Sequence, residues 1–313
     1  MSEDTWYSGL NDYIKYVYTP DPNNKLNKFD VHLQDTGYPT GANVYEEYLQ
    51  CFENGVPKKV ELLFSGGLDS EFVLDLLLEC KIPVECITME LTVNGIVINS
   101  HDMYYSEKIC RSKGVNRRVV SLDAKKFFES GEHRKYLDPY RISIPHVASH
   151  FWLIEQCSSF PIFGGEYHWA WNPADVTAIS PSRHSYAHYE KFMKDLGMSG
   201  FGNMINHHPA IDIRCIKEHI KLLQSDPKLY TGSSESVIYL KTKVYETVSG
   251  KTYEPRLRSF GWERLDTMPS LFDRLYYRKE LLDDFGDNSL SISWGNDIAQ
   301  VLGGQPGTWS RLK

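Results

Sequence analysis

Apolar and polar positions along the chain begin to alternate regularly at Lys58. Val60-Glu-Leu-Leu-Phe64 is an apolar run of the length a buried strand takes. Asp69 to Cys80 then carries apolar residues at Phe72, Val73, Leu76 and Leu77, the spacing of one helix face. Pro83 to Leu91 reads as a second strand, Asn99 to Lys113 as a helix closed by Gly114, and Arg117 to Leu122 as a third strand. Ser143 to Cys157 repeats the helical spacing through Ile144, Val147, Ala148, Phe151 and Ile154. Ser159 to Phe163 is a fourth strand, followed at once by Gly164-Gly165. Strand and helix alternating in this way predict an α/β fold built on a doubly wound parallel sheet.

The flanks read differently. Residues 1–57 lack sustained periodicity, are interrupted by the turn-forming stretches Tyr18–Lys25 and Thr36–Gly41, and offer a short helix only from about Asn43 to Asn54. They read as an N-terminal arm or small subdomain. Beyond the alternating region, Ser182–Met198, Ile211–Ser225 and Leu271–Phe285 look helical, and Val237–Val248 alternates like a strand or hairpin arm. The expected organisation is therefore an arm over 1–57, a nucleotide-type α/β domain over 58–180, and a mainly helical C-terminal extension over 181–313 that shapes an acceptor site or an interaction surface.

Composition narrows the class. The chain has 313 residues, 41% hydrophobic and 24% charged, which fits a globular protein with a sizeable core. Its 34 basic residues against 41 acidic ones leave a net charge of −7, the wrong sign for a general binder of phosphate backbones, so nucleic acid is not the expected partner. No apolar stretch is long enough to span a membrane, and Met1 to Leu10 lacks the pattern of a signal peptide. None of the six cysteines forms a C-x-x-C pair, and several sit in apolar runs, so a reducing cytoplasmic setting is expected. Aromatic residues reach 13%, with a local cluster at Phe160, Phe163, Tyr167, Trp169 and Trp171 that reads first as core filling.

The residues that carry most chemistry are Ser65-Gly66-Gly67-Leu68-Asp69-Ser70, placed between the first strand and the first helix of the alternating region. They are not a Walker A loop. Two glycines permit positive φ angles and let the backbone approach a ligand. The first-turn N–H groups of the helix, with its dipole, attract an anion such as pyrophosphate. Ser65 and Ser70 add hydroxyls. Asp69 would repel a bare phosphate, so its place makes sense if it holds Mg²⁺ or orients the loop.

This string after Val60–Phe64 resembles the PP-loop of the N-type ATP pyrophosphatases, the adenine nucleotide alpha hydrolase-like (HUP) superfamily, and in motif the asparagine synthetase group within it. The resemblance covers roughly residues 58–170. It implies an enzyme that binds ATP and Mg²⁺, cleaves ATP to AMP and pyrophosphate, and adenylates a small carboxylate or carbonyl acceptor for C–N bond formation. Carried onto this chain, it implies that Ser65, Gly66, Gly67, Leu68, Asp69 and Ser70 hold the pyrophosphate. Backbone at Leu63, Phe64, Thr88, Met89 and Glu90 would flank adenosine, at the carboxyl ends of strands where open α/β sheets bind ligands.

Further candidates lie outside the loop. Glu166, in Phe163-Gly-Gly-Glu-Tyr-His168, falls at the carboxyl end of the fourth strand and is a candidate to bind Mg²⁺ with Asp69 or to orient substrate. Arg183, or Arg141, could neutralise the departing pyrophosphate. Asn99 or Ser100 could cap the second helix, with Asp102 favouring its N-terminus. His207, His208, Asp212 and His219 match no zinc spacing. Arg256, Arg258 and Arg264, interleaved with Phe260 and Trp262, read as a partly buried turn in preference to a single-strand nucleic-acid surface. Ser2 stands where glutamine-hydrolysing synthetases of the asparagine type carry a nucleophilic cysteine, so an amine or ammonia would come free or from a partner. The competing expectations are a tRNA-base-modifying relative and a nucleotide-binding assembly protein without turnover; oligomerisation is left open.

Overall fold

The computed structural model describes residues 4–7, 14–19, 28–33, 43–50, 52, 55, 57–142, 146–165, 169–172, 175–181, 185–205, 209–229, 231, 233–256, 289–294 and 307–311. The chain opens with strands β1 (Asp4–Tyr7), β2 (Ile14–Thr19) and β3 (Lys28–Leu33), then helix α1 (Val44–Gln50). The alternating region follows as β4 (Val60–Leu63), α2 (Leu68–Glu79), β5 (Val84–Val93), β6 (Ile96–Val97), α3 (Ser100–Lys113), β7 (Arg117–Asp123), α4 (Ala124–Glu129), α5 (Glu132–Leu137), α6 (His146–Glu155) and β8 (Phe160–Phe163). After it come β9 (Trp169–Asn172), β10 (Asp175–Pro181), α7 (Ser185–Asp195), α8 (Pro209–Ser225), α9 (Ser234–Ser249), β11 (Ser289–Trp294) and β12 (Gly307–Arg311).

All four strands expected between residues 58 and 180 are present, and they pair in parallel. β5 lies between β4 and β7, and β4 lies between β5 and β8. The spatial order β7-β5-β4-β8 is the third-second-first-fourth arrangement of doubly wound sheets, in which the strand order reverses between β4 and β8. β6 adds a short antiparallel hairpin to the end of β5, so the sheet as a whole is mixed. Beyond β8, Phe201 takes up the next parallel position: Phe163 N–H donates to Phe201 O at 2.8 Å and Phe201 N–H to Pro161 O at 3.0 Å.

Alternation along these strands explains the layers. Val60, Leu62, Cys86, Phe160 and Ile162 point into a core they share with α1, α2, α3, α8 and α9. Leu63, Ile87, Leu91 and Leu122 point the other way, into a core filled from α4, α5, α6 and α7. Period-two side chains on a sheet covered on both faces require apolar residues at nearly every position, which is why β4 reads as one unbroken run.

Glu61 is the exception within that run. It is fully buried, and its carboxylate accepts from Ser158 N–H and Ser159 N–H, both at 2.7 Å, and from the Ser158 hydroxyl at 3.1 Å. Lys59 and Arg118 lie 3.5 and 3.3 Å away. Burial pushes its pKa up, but the Ser159 and Ser158 amides and the Lys59 charge outweigh that and hold it below the usual carboxylate range. The carboxylate thereby ties the turn that enters β8 to the strand beside it.

The C-terminal region departs from expectation at Val237–Val248, which forms the interior of helix α9 and not a strand. Its β-branched and aromatic residues also satisfy a four-residue spacing, and Leu240, Val244 and Val248 are buried along one side. Helix boundary signals decide the matter. The Ser233 side chain accepts from Ser236 N–H, and Gly250 takes the left-handed conformation at φ 67°. α7 and α8 fall near their expected places, whereas the helix expected over Leu271–Phe285 lies outside the described residues. The two ends of the chain meet in a second sheet of order β1-β2-β3-β11-β12, with β11 parallel to β3. The arm thus contributes three strands, whose short alternations, such as Phe29, Val31 and Leu33 in β3, are separated by turn-forming stretches and are not read as strands from the sequence.

Replacing Glu61 by Gln should destabilise the fold by about 2–4 kcal/mol at pH 7, because several donors lose a charged acceptor. Since the folded pKa of Glu61 is depressed, this contribution is complete above the unfolded value near 4.3 and fades as pH falls through the folded value. Urea denaturation at pH 7 should therefore separate native chain from Glu61→Gln clearly, and the gap should narrow below about pH 4.

Candidate functional site

The residues from β4 into α2 form a tight strand–loop–helix bend at the carboxyl edge of the sheet. Gly66 adopts φ +73°, and a Cβ there would lie 2.4 Å from Ser106 N and 2.7 Å from Tyr105 C. The loop is therefore pressed backbone to backbone against α3, which only glycine allows. A second close approach comes from β8. A Cβ on Gly164 would lie 2.9 Å from Ser70 Cα, so the end of β8 abuts the first turn of α2. The register that aligns Leu63 with Phe163 brings the loop and the Gly164-Gly165 pair to one edge, as the sequence predicts.

Inside the bend the polar groups are arranged locally. Gly67 N–H donates to Ser65 Oγ at 3.2 Å, and the Ser70 hydroxyl donates to Gly67 O at 2.9 Å. α2 begins at Leu68 with no side-chain cap, so no side chain satisfies the N–H groups of its first turn, which carry the positive end of the helix dipole. Leu63 and Phe64 are buried in the two cores, which leaves their backbone as the part able to border a ligand. The Thr88 hydroxyl donates to Phe64 O at 2.9 Å, joining the ends of β4 and β5. Met89 is half-buried, and its carbonyl accepts from Asn99 Nδ2 at 2.7 Å. Asn99 Oδ1 in turn accepts from Leu91 N–H at 2.8 Å. Asn99 thus anchors the entry of α3 to β5 and does not cap the helix with its side chain, as had been expected.

Asp69, half-buried in the first turn of α2, is gripped by α9. The Tyr245 hydroxyl donates to Asp69 Oδ1 at 2.5 Å, and Lys241 Nζ lies 3.0 Å from Oδ1 and 3.2 Å from Oδ2. Lys241 and Tyr245 stand one turn apart on one face of α9, so both reach the same carboxylate. Tyr245 also stacks on Phe72 of α2, with ring centroids 4.2 Å apart, which fixes the two helices side by side.

A second cation lies beneath the loop. Arg256 is 7% exposed; its Nε donates to Gly66 O at 2.7 Å and its guanidinium pairs with Glu71 at 2.7 Å. The guanidinium also lies 5.2 Å over the Tyr105 ring. Reading Arg256 as part of a partly buried turn agrees with this burial, but the sequence pattern does not announce its clamp on the loop. Nothing local reveals it, because its partners lie 185 and 190 residues away.

Glu166 and Arg183, the other site residues singled out from sequence, lie outside the described residues, as do His207, His208, Arg258, Phe260, Trp262 and Arg264. Arg141 takes a left-handed conformation at φ 50° at the end of the single helical turn Asp138–Tyr140 that follows α5. His219 sits within α8, where burial pushes its imidazole down to about 4. Among the described residues no group of three or more His, Cys, Asp or Glu side chains comes together.

No protein-family model matches the chain, and no curated protein matches it. Solved structures to which it is similar include an NH3-dependent NAD synthetase from Campylobacter jejuni, at 14% identity over 67% of this chain and 94% of that one, with a TM-score of 0.30. A predicted subunit of tRNA methyltransferase from Methanocaldococcus jannaschii is 14% identical over 46% of this chain, with a TM-score of 0.27; the chain spans 65% of it, just under two thirds. A tRNA thiolase from Methanococcus maripaludis is 12% identical over 77% of this chain and 76% of that one, with a TM-score of 0.28. Likenesses this distant carry no argument about activity. The α/β class rests on the strand order and layers of this chain itself. Among the described residues no helix is long and apolar enough to cross a membrane.

Gly66→Ala should strain the left-handed position and force the loop off α3, lowering stability by about 2–3 kcal/mol in thermal or urea denaturation. Arg256→Ala should cost about 3–5 kcal/mol, because it leaves the buried Glu71 without its main partner. Arg256→Lys should recover only part of that loss, since an ammonium lacks the guanidinium fork that serves Gly66 O and Glu71 together.

Proposed function

We propose that the chain is an ATP-binding enzyme of the PP-loop type that cleaves ATP to AMP and pyrophosphate, adenylating a small carboxylate or carbonyl acceptor for C–N bond formation. The observation that carries this reading is the bend at Ser65–Ser70, a glycine loop opening an uncapped helix at the point where the strand order reverses. The narrower likeness to the asparagine synthetase group rests on the six-residue motif alone. The amine or ammonia would arrive free or from a partner protein.

The residues present fit a magnesium ion. Asp69 presents both carboxylate oxygens toward one position, and a cation, the Lys241 ammonium, already lies against both. One carboxylate completed by phosphate oxygens is the usual protein share of a nucleotide-bound magnesium site. Asp69 would hold the ion, with Glu166 as the second candidate ligand. When bound, magnesium supplies positive charge to the phosphate oxygens.

The chain's own groups do the remaining work. First-turn amides of α2 and the backbone at Gly66 and Gly67 would receive the β and γ phosphates, stabilising negative charge as it accumulates on the departing pyrophosphate. Gly164, packed on Ser70, keeps the helix entry from shifting while that charge develops. The ends of β4 and β5, held together by Thr88 and Asn99, would border the nucleoside. Arg183 is the candidate from the C-terminal side to face the leaving group.

Incubation with α-labelled ATP, magnesium and a panel of small acids and amines should yield labelled AMP with equimolar pyrophosphate. Asp69→Asn should lower that rate by about a hundredfold or more while the fold remains intact by circular dichroism. Formation of ADP only, or no product across the panel, would refute the reading.

A further inference from the structure

The grip of α9 on Asp69 places one cation against both oxygens of a single carboxylate. The Lys241 ammonium straddles the carboxylate, 3.0 Å from one oxygen and 3.2 Å from the other, so it occupies the face of Asp69 that a divalent ion would have to approach. Both side chains are largely withdrawn from water, Lys241 at 11% exposure and Asp69 at 23%, so the attraction is less screened than at a surface pair. Tyr245 completes the arrangement by donating to Oδ1, and its stacking on Phe72 keeps α9 from drifting away. An ammonium and a divalent metal cannot share that position, since like charges in a poorly solvated site repel strongly.

We propose that Lys241 is a placeholder cation: it neutralises Asp69 while no metal is bound and gives up the position when a divalent ion arrives. This rests on the nucleotide reading above and adds a step of exchange to it. Lys241 stays tethered to α9 through its four-carbon stem, so the released ammonium remains beside the loop, next to the negative charge the nucleotide brings. Metal affinity without nucleotide is then lowered, because only the fraction of molecules with Lys241 displaced can bind. Metal delivered together with a triphosphate escapes this penalty, because the phosphates give the freed ammonium a new partner.

The exchange is read by Mn²⁺ titration without nucleotide, following free Mn²⁺ by electron paramagnetic resonance. Lys241→Met, which keeps the length of the stem and removes the charge, should bind Mn²⁺ roughly fivefold or more tightly than the native chain. Lys241→Arg, which keeps the charge, should stay within about twofold of native, and adding Asp69→Asn to Lys241→Met should abolish the gain. In the native chain, saturating Mn²⁺ should raise acetylation of Lys241 by acetic anhydride severalfold, read by peptide mass spectrometry, a measurement that needs no variant. Equal Mn²⁺ affinity in the native chain and Lys241→Met, no saturable binding in either, or unchanged acetylation overturns the proposal. Calorimetry of Mg·ATP with the native chain separates the two levels. Uptake that persists while the manganese results fail leaves the nucleotide reading standing without the exchange; absent uptake removes the nucleotide reading itself.

Discussion

An added Cβ on Gly66 would lie 2.4 Å from the backbone nitrogen of Ser106, and one on Gly164 would lie 2.9 Å from Ser70 Cα. At these two places main chain rests directly on main chain, and the position of everything near the loop follows from them. The first contact sets how far the loop sits from α3, and the second sets how α2 enters beside β8. Backbone contacts of this kind cannot relax by rotating a side chain, so a helix N-terminus held by them offers an anion a preformed arrangement of N–H groups.

Charge is then distributed around that rigid frame by the later part of the chain. Arg256 pairs with Glu71 and holds Gly66 O, while Lys113 of α3 lies 2.7 Å from Asp75 and 3.5 Å from Glu71. Lys241 and Tyr245 take Asp69. The acidic residues Asp69, Glu71 and Asp75 of α2 are thus answered by cations from α3, α9 and the segment after α9. None of these partners adjoins α2 in sequence, so the loop and the C-terminal region form one electrostatic unit. The parallel sheet presents the bend; helix α9 and the residues just after it, through Arg256, bring further charges to it.

The strands β4 and β8 were legible as short apolar runs, as strands covered on both faces require, and β5 and β7 as β-branched stretches after the helices that end at Cys80 and Gly114. The loop was legible because its six residues combine glycine freedom with a helix start. Helix α9 was not, because Val237–Val248 satisfies a period of two and a period near four at once. The cap at Ser233 and the glycine at 250 carried the better signal. The strands at the two chain ends were also hidden. β3 and β11 pair across more than 250 residues in the middle of their sheet, and although each alternates (Phe29, Val31, Leu33; Leu290, Ile292, Trp294), six residues give no local sign of a partner so distant.

Local pattern alone established the α/β class, the place of the strand-to-helix bend at Ser65–Ser70 and the glycines that make it, because each depends on neighbours a few residues apart. Tertiary structure alone decided that Lys241, Tyr245 and Arg256 attend the bend, since their partners lie 172 to 190 residues away in the chain. A side chain's periodicity reports which face it occupies, but not which distant carboxylate or carbonyl that face will meet. That meeting is set by how helices pack on the completed sheet.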